Sequence, residues 1–155
     1  MAMAVKPYND DKISKSNEAL EKAFKDERDK WHDWVEQLLD MVKHTDKLTD
    51  CMVLGLSYRQ QIIEKIAYYR QSMYKKKSQL DVLKVERYRM YTIEGDIKYT
   101  SSEKNDAVNA DLTNVNYHLN LLQNQIDFLN ETNQTLTSLQ FAVKNKITIV
   151  TEQLM

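Results

Sequence analysis

The sequence predicts an all-α protein: a helical hairpin or bundle subunit whose long C-terminal coiled-coil-like helix assembles a homo-oligomeric ring. Three observations carry this reading. Two glycines and one proline in 155 residues leave no Gly/Pro-punctuated strands and no hairpin dipeptides. From residue 112 to 154, apolar side chains recur at alternating steps of three and four, with no Gly or Pro inside. The same segment carries a second apolar stripe, and two such faces suit a bundle or ring in which each helix touches neighbours on both sides.

The elements follow in chain order. Residues 1–12 read as a tail with a turn at Pro7, and Asp10, Asp11 or Ser14 can cap the first helix. Ile13, Leu20, Phe24, Trp31, Trp34, Leu38, Met41, Leu48 and Met52 then keep helical spacing on one broad face. Trp31 and Trp34 are expected to anchor packing, because Asp29, Asp33 and Glu36 around them disfavour base stacking. Gly55, followed by Ser57, reads as the first break. A second helix is expected from about Ser57 to about Tyr91, with Ile62, Ile66, Tyr69, Met73, Leu80 and Leu83 facing inward. Lys76 falls on that stripe, where its aliphatic stem can pack while the ammonium reaches water. Residues 92–102, with Gly95, form the connector. Ser101 or Ser102 then starts the long helix, with Glu103 and Asp106 where the helix dipole favours negative charge. The expected organisation is a tail (1–12), an N-terminal helical region (13–100) and a C-terminal oligomerisation helix (101–155).

The seam of the last helix runs Leu112, Val115, Leu119, Leu122, Ile126, Leu129, Asn133, Leu136, Gln140, Val143, Ile147, Val150, Leu154. At about 1.5 Å per residue such a helix is roughly 60 Å long. A second copy of the chain is therefore favoured over an intramolecular bundle as its partner. Leu112, Val115, Leu119, Leu122, Ile126, Leu129, Leu136, Val143, Ile147 and Val150 are the expected oligomerisation residues. The flanking positions are uncharged (Asn116, Gln123, Gln125, Asn130, Thr132, Thr137), so charge pairing does not choose the partner. Asn133 and Gln140 are expected to cost stability and to fix register. Leu121, Phe128 and Ile149 form the second stripe, and Leu139 and Phe141 widen the apolar surface.

The net charge of −1 conceals a partition. Residues 1–58 hold nine Lys/Arg against twelve Asp/Glu, residues 59–104 hold eleven against six, and residues 105–155 hold two against five. The basic centre also contains six of the nine tyrosines. On a helix, Arg70, Tyr74, Lys77, Asp81, Lys84, Tyr88 and Tyr91 lie along one line, flanked by Lys75, Lys76, Arg87 and Arg89. Cations interleaved with phenol rings suit single-stranded nucleic acid: the cations neutralise phosphates, and the rings stack unpaired bases with little sequence preference. A solvated charged face whose tyrosines pack on neighbouring helices is the competing reading. Cys51 is the single cysteine, which fits a reducing compartment. With no 18-residue apolar run and no signal-peptide pattern, neither a membrane span nor secretion is expected, and the cytoplasm is the expected location.

No catalytic arrangement is legible. There is no Gly-rich phosphate loop and no nucleophile–base motif, and His32, His44 and His118 are scattered without metal spacing. No enzyme activity, catalytic residue, cofactor or metal is expected.

Three features in this order, a Trp-bearing first helix, a basic helix with Lys65-Ile66-Ala67-Tyr68-Tyr69, and a C-terminal helix with Asp127-Phe128 and Phe141-Ala142-Val143-Lys144, give the chain a family likeness. Over roughly residues 30–150 it resembles the UvsY family of T-even-type phage recombination mediators. The resemblance implies a ring-like homo-oligomer in the host cytoplasm that binds single-stranded DNA. It implies help in loading a RecA-type recombinase onto DNA coated by single-strand-binding protein, with no ATPase of its own. From the charge pattern together with this resemblance, Lys65, Arg70, Lys75, Lys76, Lys77, Lys84, Arg87 and Arg89 are expected to hold phosphates. Tyr68, Tyr74 and Tyr88 would stack on bases, and Tyr69 would pack. The family's motif has a further Lys two positions before its basic residue, where this chain has Ile63. A structural or adaptor coiled coil, such as a virion scaffold or helical chaperone without DNA binding, is the alternative.

Overall fold

A computed structural model describes residues 10–93 and 98–154. The expected turn at Pro7 and the connector glycine Gly95 lie outside the described residues. Helix α1 spans Asp10–Val42, α2 Leu48–Ile93, α3 Ser101–Asp111 and α4 Thr113–Leu154, with a 3-10 turn at Thr45–Lys47 between α1 and α2. Every element among the described residues is helical. Asp10 to Lys12, read as tail, are the first turn of α1.

The first break is not at Gly55. The chain turns at Lys43 and His44, whose N–H groups donate to Asp40 and Met41 carbonyls at 3.1 Å, and His44 is extended (φ −112, ψ 115). Leu48 and Met52 therefore belong to α2, which runs for 46 residues. Gly55 is buried inside α2 facing α4, and an added Cβ would sit 3.5 Å from Gln140 Nε2. That distance is ordinary van der Waals contact, and the backbone there is helical. Gly55→Ala is thus expected to stabilise the fold by about 0.5–1 kcal/mol in urea melts, through lower unfolded-chain entropy. Gly55→Leu should destabilise it, and a loss of stability with Ala would contradict this packing.

Helix α3 starts at Ser101, as expected, with Thr100 as its N-cap, but the long helix is broken before α4. The Thr100 hydroxyl accepts from Glu103 N–H at 3.2 Å while the Glu103 carboxylate accepts from Thr100 N–H at 3.3 Å, a reciprocal capping box. Leu112 (φ −102, ψ 15) separates α3 from α4. Thr113 Oγ1 donates back to the Ala110 carbonyl at 2.9 Å, a side-chain bond that competes with the helix ladder.

The chain divides into two compact units, Met1–Lys22 with Ser72–Leu122, and Ala23–Gln71 with Gln123–Met155. Helices α1, α2 and α4 each contribute to both. In the first unit, Leu80, Val108, Leu112, Val115 and Leu119 form the buried cluster, with Ile13, Leu83 and Tyr91 packed on it. Buried Asn17 donates to the Asn114 carbonyl at 2.8 Å, and its Oδ1 lies 2.8 Å from His118 Nδ1. In the second unit Phe24, Trp31 and Leu38 of α1 join Leu48, Cys51, Tyr58, Ile62, Ile66 and Tyr69 of α2. Ile126, Leu129, Leu136, Leu139 and Val143 of α4 complete this core.

The seam therefore finds its cover within the chain, contrary to the expectation that it awaits a second copy. Leu112, Val115, Leu119, Leu122, Ile126, Leu129, Leu136 and Val143 are all buried in the single chain, and Ile147 and Val150 are half-buried. The physical reason is length: α1 and α2 are long enough to flank α4 once the turn lies at residues 43–47 rather than at Gly55. Lying against two helices, α4 buries more than a two-position seam. Gln125 and Thr132, expected at the flank, are buried, whereas Asn133, on the seam, is only half-buried.

Burial, and secondarily the Lys76 charge, holds the His118 imidazole below its ordinary 6.5. The unfolded chain takes up this proton more readily than the folded one, so His118 contributes stability above about pH 6.5 that is lost as pH falls through the folded value. His118→Gln is expected to flatten the fall in stability between about pH 7.5 and 5.5 in parallel urea titrations. Superimposable profiles for the two proteins would contradict the assignment.

Candidate nucleic-acid interface

Helix α2 carries the basic centre, and its buried residues decide which side chains face out. Ile62, Ile66, Tyr69, Met73 and Leu80 are buried as the spacing predicts. The expected site residues on the remaining surface do not behave alike.

In the second unit, the Lys65–Tyr68–Tyr69 motif is partly structural. Tyr69 donates its hydroxyl to Glu27 Oε2 at 2.8 Å and meets the Phe24 ring edge-on at 5.1 Å. Burial, reinforced by Glu27, pushes its phenol far above the ordinary range. Lys65 Nζ lies 3.9 Å from the same carboxylate oxygen and 5.6 Å from the Tyr69 ring centroid. Glu27 Oε1 in turn accepts from Gln125 Nε2 at 2.9 Å, and Gln125 Oε1 accepts from Arg28 at 2.9 Å. Lys65 thus sits at the edge of a core network, with its own side chain still 47% exposed. Tyr68 is 62% exposed and Arg70 is exposed.

In the first unit, Tyr74 is 75% exposed, Lys75 and Lys77 are exposed beside it, and Lys76 is half-buried as its place on the inner stripe predicts. Lys84 and Arg89 are exposed further along α2, and Lys104 of α3 sits 5.5 Å from the Tyr88 ring centroid. Arg87 is half-buried and lies toward α3. Its guanidinium lies 4.0 Å from Asp111 Oδ2, which also accepts the Tyr91 hydroxyl at 2.6 Å. Arg87 and Tyr91 are therefore pinned to α3, and Tyr91 further meets Tyr99 edge-on at 5.7 Å.

Arg59, counted in the basic centre, faces α4. Its Nη1 donates to Gln140 Oε1 at 2.6 Å and its Nε to Asn133 Oδ1 at 3.4 Å. The two polar residues of the seam, one heptad apart, thus share one guanidinium, and this holds α2 and α4 in register. Trp31 is buried, edge-on to Trp34 and Tyr58, and Trp34 stacks on Tyr58 at 4.7 Å. Both tryptophans anchor packing.

Among the described residues no group of His, Cys, Asp and Glu is placed to hold a metal ion, and no helix is long and apolar enough to cross a membrane. No protein-family model matches the chain, and no curated protein or solved structure does either.

Proposed function

We propose that the chain binds single-stranded DNA through the outward face of α2. In this reading it acts as a recombination mediator, helping a RecA-type recombinase onto DNA held by single-strand-binding protein. The observation that carries the DNA-binding part is Tyr74, 75% exposed between exposed Lys75 and Lys77 and the buried Met73. A phenol ring turned to water among cations leaves most of its apolar surface unburied. A stacked base would bury that surface while its phosphates meet the lysines. Arg70, Lys75, Lys77, Lys84 and Arg89 are the phosphate contacts in this reading, and Tyr68 and Tyr74 are the stacking residues. Lys76 supports the edge of the surface.

The mediator part rests on the resemblance to the UvsY family. Self-association belongs to the same proposal, on a different surface from the seam. Val53, Leu56 and Ile63 share one side of α2 and are 63%, 54% and 50% exposed. Several copies on one strand would multiply a modest affinity through effective concentration. The same apolar row favours the second reading, an adaptor that meets other proteins without DNA.

The test is fluorescence anisotropy of a labelled oligo-dT titrated with protein at ~50 and ~200 mM salt. Five phosphate contacts to a single strand give a log–log salt slope near −3.5, so the fourfold rise in salt should weaken binding about a hundredfold. No binding at the lower salt by folded protein, or binding indifferent to salt, would overturn the proposal in favour of the adaptor.

A further inference from the structure

A cleft of about 790 Å³ lies in the first unit between the C-terminal part of α2 and α3. Its size is within the roughly 300–1,000 Å³ of small-molecule sites. Val85 and Ile93 line it while remaining 65% and 70% exposed, and buried Val108 contributes from α3. Tyr88 forms part of the wall. Asn105 and Asn109, four residues apart and so on one side of α3, present two carboxamides to it. Lys84 and Arg89 complete the rim, and no lining residue carries a carboxylate.

We propose that this cleft takes one unstacked nucleobase of the bound strand. The base ring lies against Tyr88 and the aliphatic wall, its polar edge meets the Asn105 and Asn109 carboxamides, and Lys84 and Arg89 receive the flanking phosphates. The inference rests on the strand-binding reading and adds to it a pocket that reads the base, which phosphate contacts alone would not do. The occupant follows from the combination of groups. An apolar helix from a partner protein would cover the valine and isoleucine but strand two amides and two cations away from water. A nucleotide has a flat apolar face, a polar edge and an anionic backbone, and it meets all three. A carboxamide can pair in bidentate fashion with the polar edge of an unpaired base, adenine N6/N7 or thymine N3/O4 alike, so the cleft reads the presence of a base.

The experiment compares three strands of equal length, oligo-dT, oligo-dA and a strand of abasic sugars, against wild type, Tyr88→Ala and the exposed-face pair Asn105→Ala with Asn109→Ala. Circular dichroism checks that each variant retains wild-type helix content. Tyr88→Ala is expected to weaken both base-bearing strands about 5- to 150-fold, the stacking of one base, and to leave the abasic strand nearly unchanged. The asparagine pair is expected to weaken both base-bearing strands and to leave the abasic strand nearly unchanged. Equal losses for intact and abasic strands would overturn the proposal, since only phosphates would then be read. Wild-type strand affinities in both variants would also overturn it and leave the cleft to a protein partner. Failure of the wild-type chain to bind any strand would overturn the strand-binding reading as well.

Discussion

Reversing two charges, Lys75→Glu with Lys77→Glu, is expected to weaken oligo-dT binding about a hundredfold or more at ~50 mM salt. Each phosphate contact to a single strand contributes about 0.7 to the salt slope, so losing two removes about 1.4 and nearly two decades of affinity at low salt. Repulsion between the introduced carboxylates and the strand adds to this. Both lysines are exposed on α2, so the melting temperature should hardly change. The same reversal at Lys12 and Lys15, exposed on α1, is the control and should lower affinity far less. Equal losses from the two pairs would show a diffuse charge effect and no site on α2.

The largest expected effect on stability comes from Arg59→Leu. It removes a 2.6 Å charge-assisted bond to Gln140 and the longer bond to Asn133. Gln140 is 9% exposed and its Nε2 is already buried without a hydrogen-bond partner. After the change its carbonyl oxygen is orphaned too. Hydrogen bonds to charged groups contribute about 1.5–3 kcal/mol, and a stranded buried amide adds its desolvation cost, so a loss of about 2–4 kcal/mol is expected in urea denaturation. Replacing both partners should cost less than the sum: Gln140→Leu in the Arg59→Leu background is expected to recover about 1 kcal/mol or more. Additive effects would show that the register contact carries no coupling.

These two arginine and lysine cases illustrate how much of the molecule its sequence makes legible. Helical content was readable because so few residues break helices, and the inward side of α2 was readable from Ile62, Ile66, Tyr69 and Met73 at helical spacing. That spacing also separates Tyr68, which faces water, from its neighbour Tyr69, which does not. The turn at residues 43–47 is not readable, because it uses neither Gly nor Pro, whereas Gly55, a plausible breaker, lies inside a continuous helix. A break at Gly55 would shorten α2 and leave the α4 seam without its intramolecular partner. A heptad pattern identifies a face that must be covered; it does not say which chain covers it.

The cations divide for a similar reason. Composition counts Arg59, Lys65 and Arg87 with Lys75 and Lys77, but their partners Gln140, Glu27 and Asp111 come from other helices. Only the folded arrangement separates cations that meet a partner on another helix from cations that face water. Gln125 shows the converse. It looked like a flanking surface residue, yet it is completely buried with its amide bonded to the Phe24 carbonyl, Glu27 and Arg28.

A strand bound along α2 must touch its exposed rings, and photo-crosslinking reads that contact directly. An oligo-dT carrying 5-iodouracil, irradiated in complex with the protein and mapped by peptide mass spectrometry, should link to the aromatic side chains its bases stack on. Crosslinks at Tyr74, with Tyr68 or Tyr88 beside it, are the predicted result. Crosslinks confined to Trp34 or to Tyr117, which is 39% exposed and bonded to Glu21, would place the strand elsewhere and contradict the α2 interface.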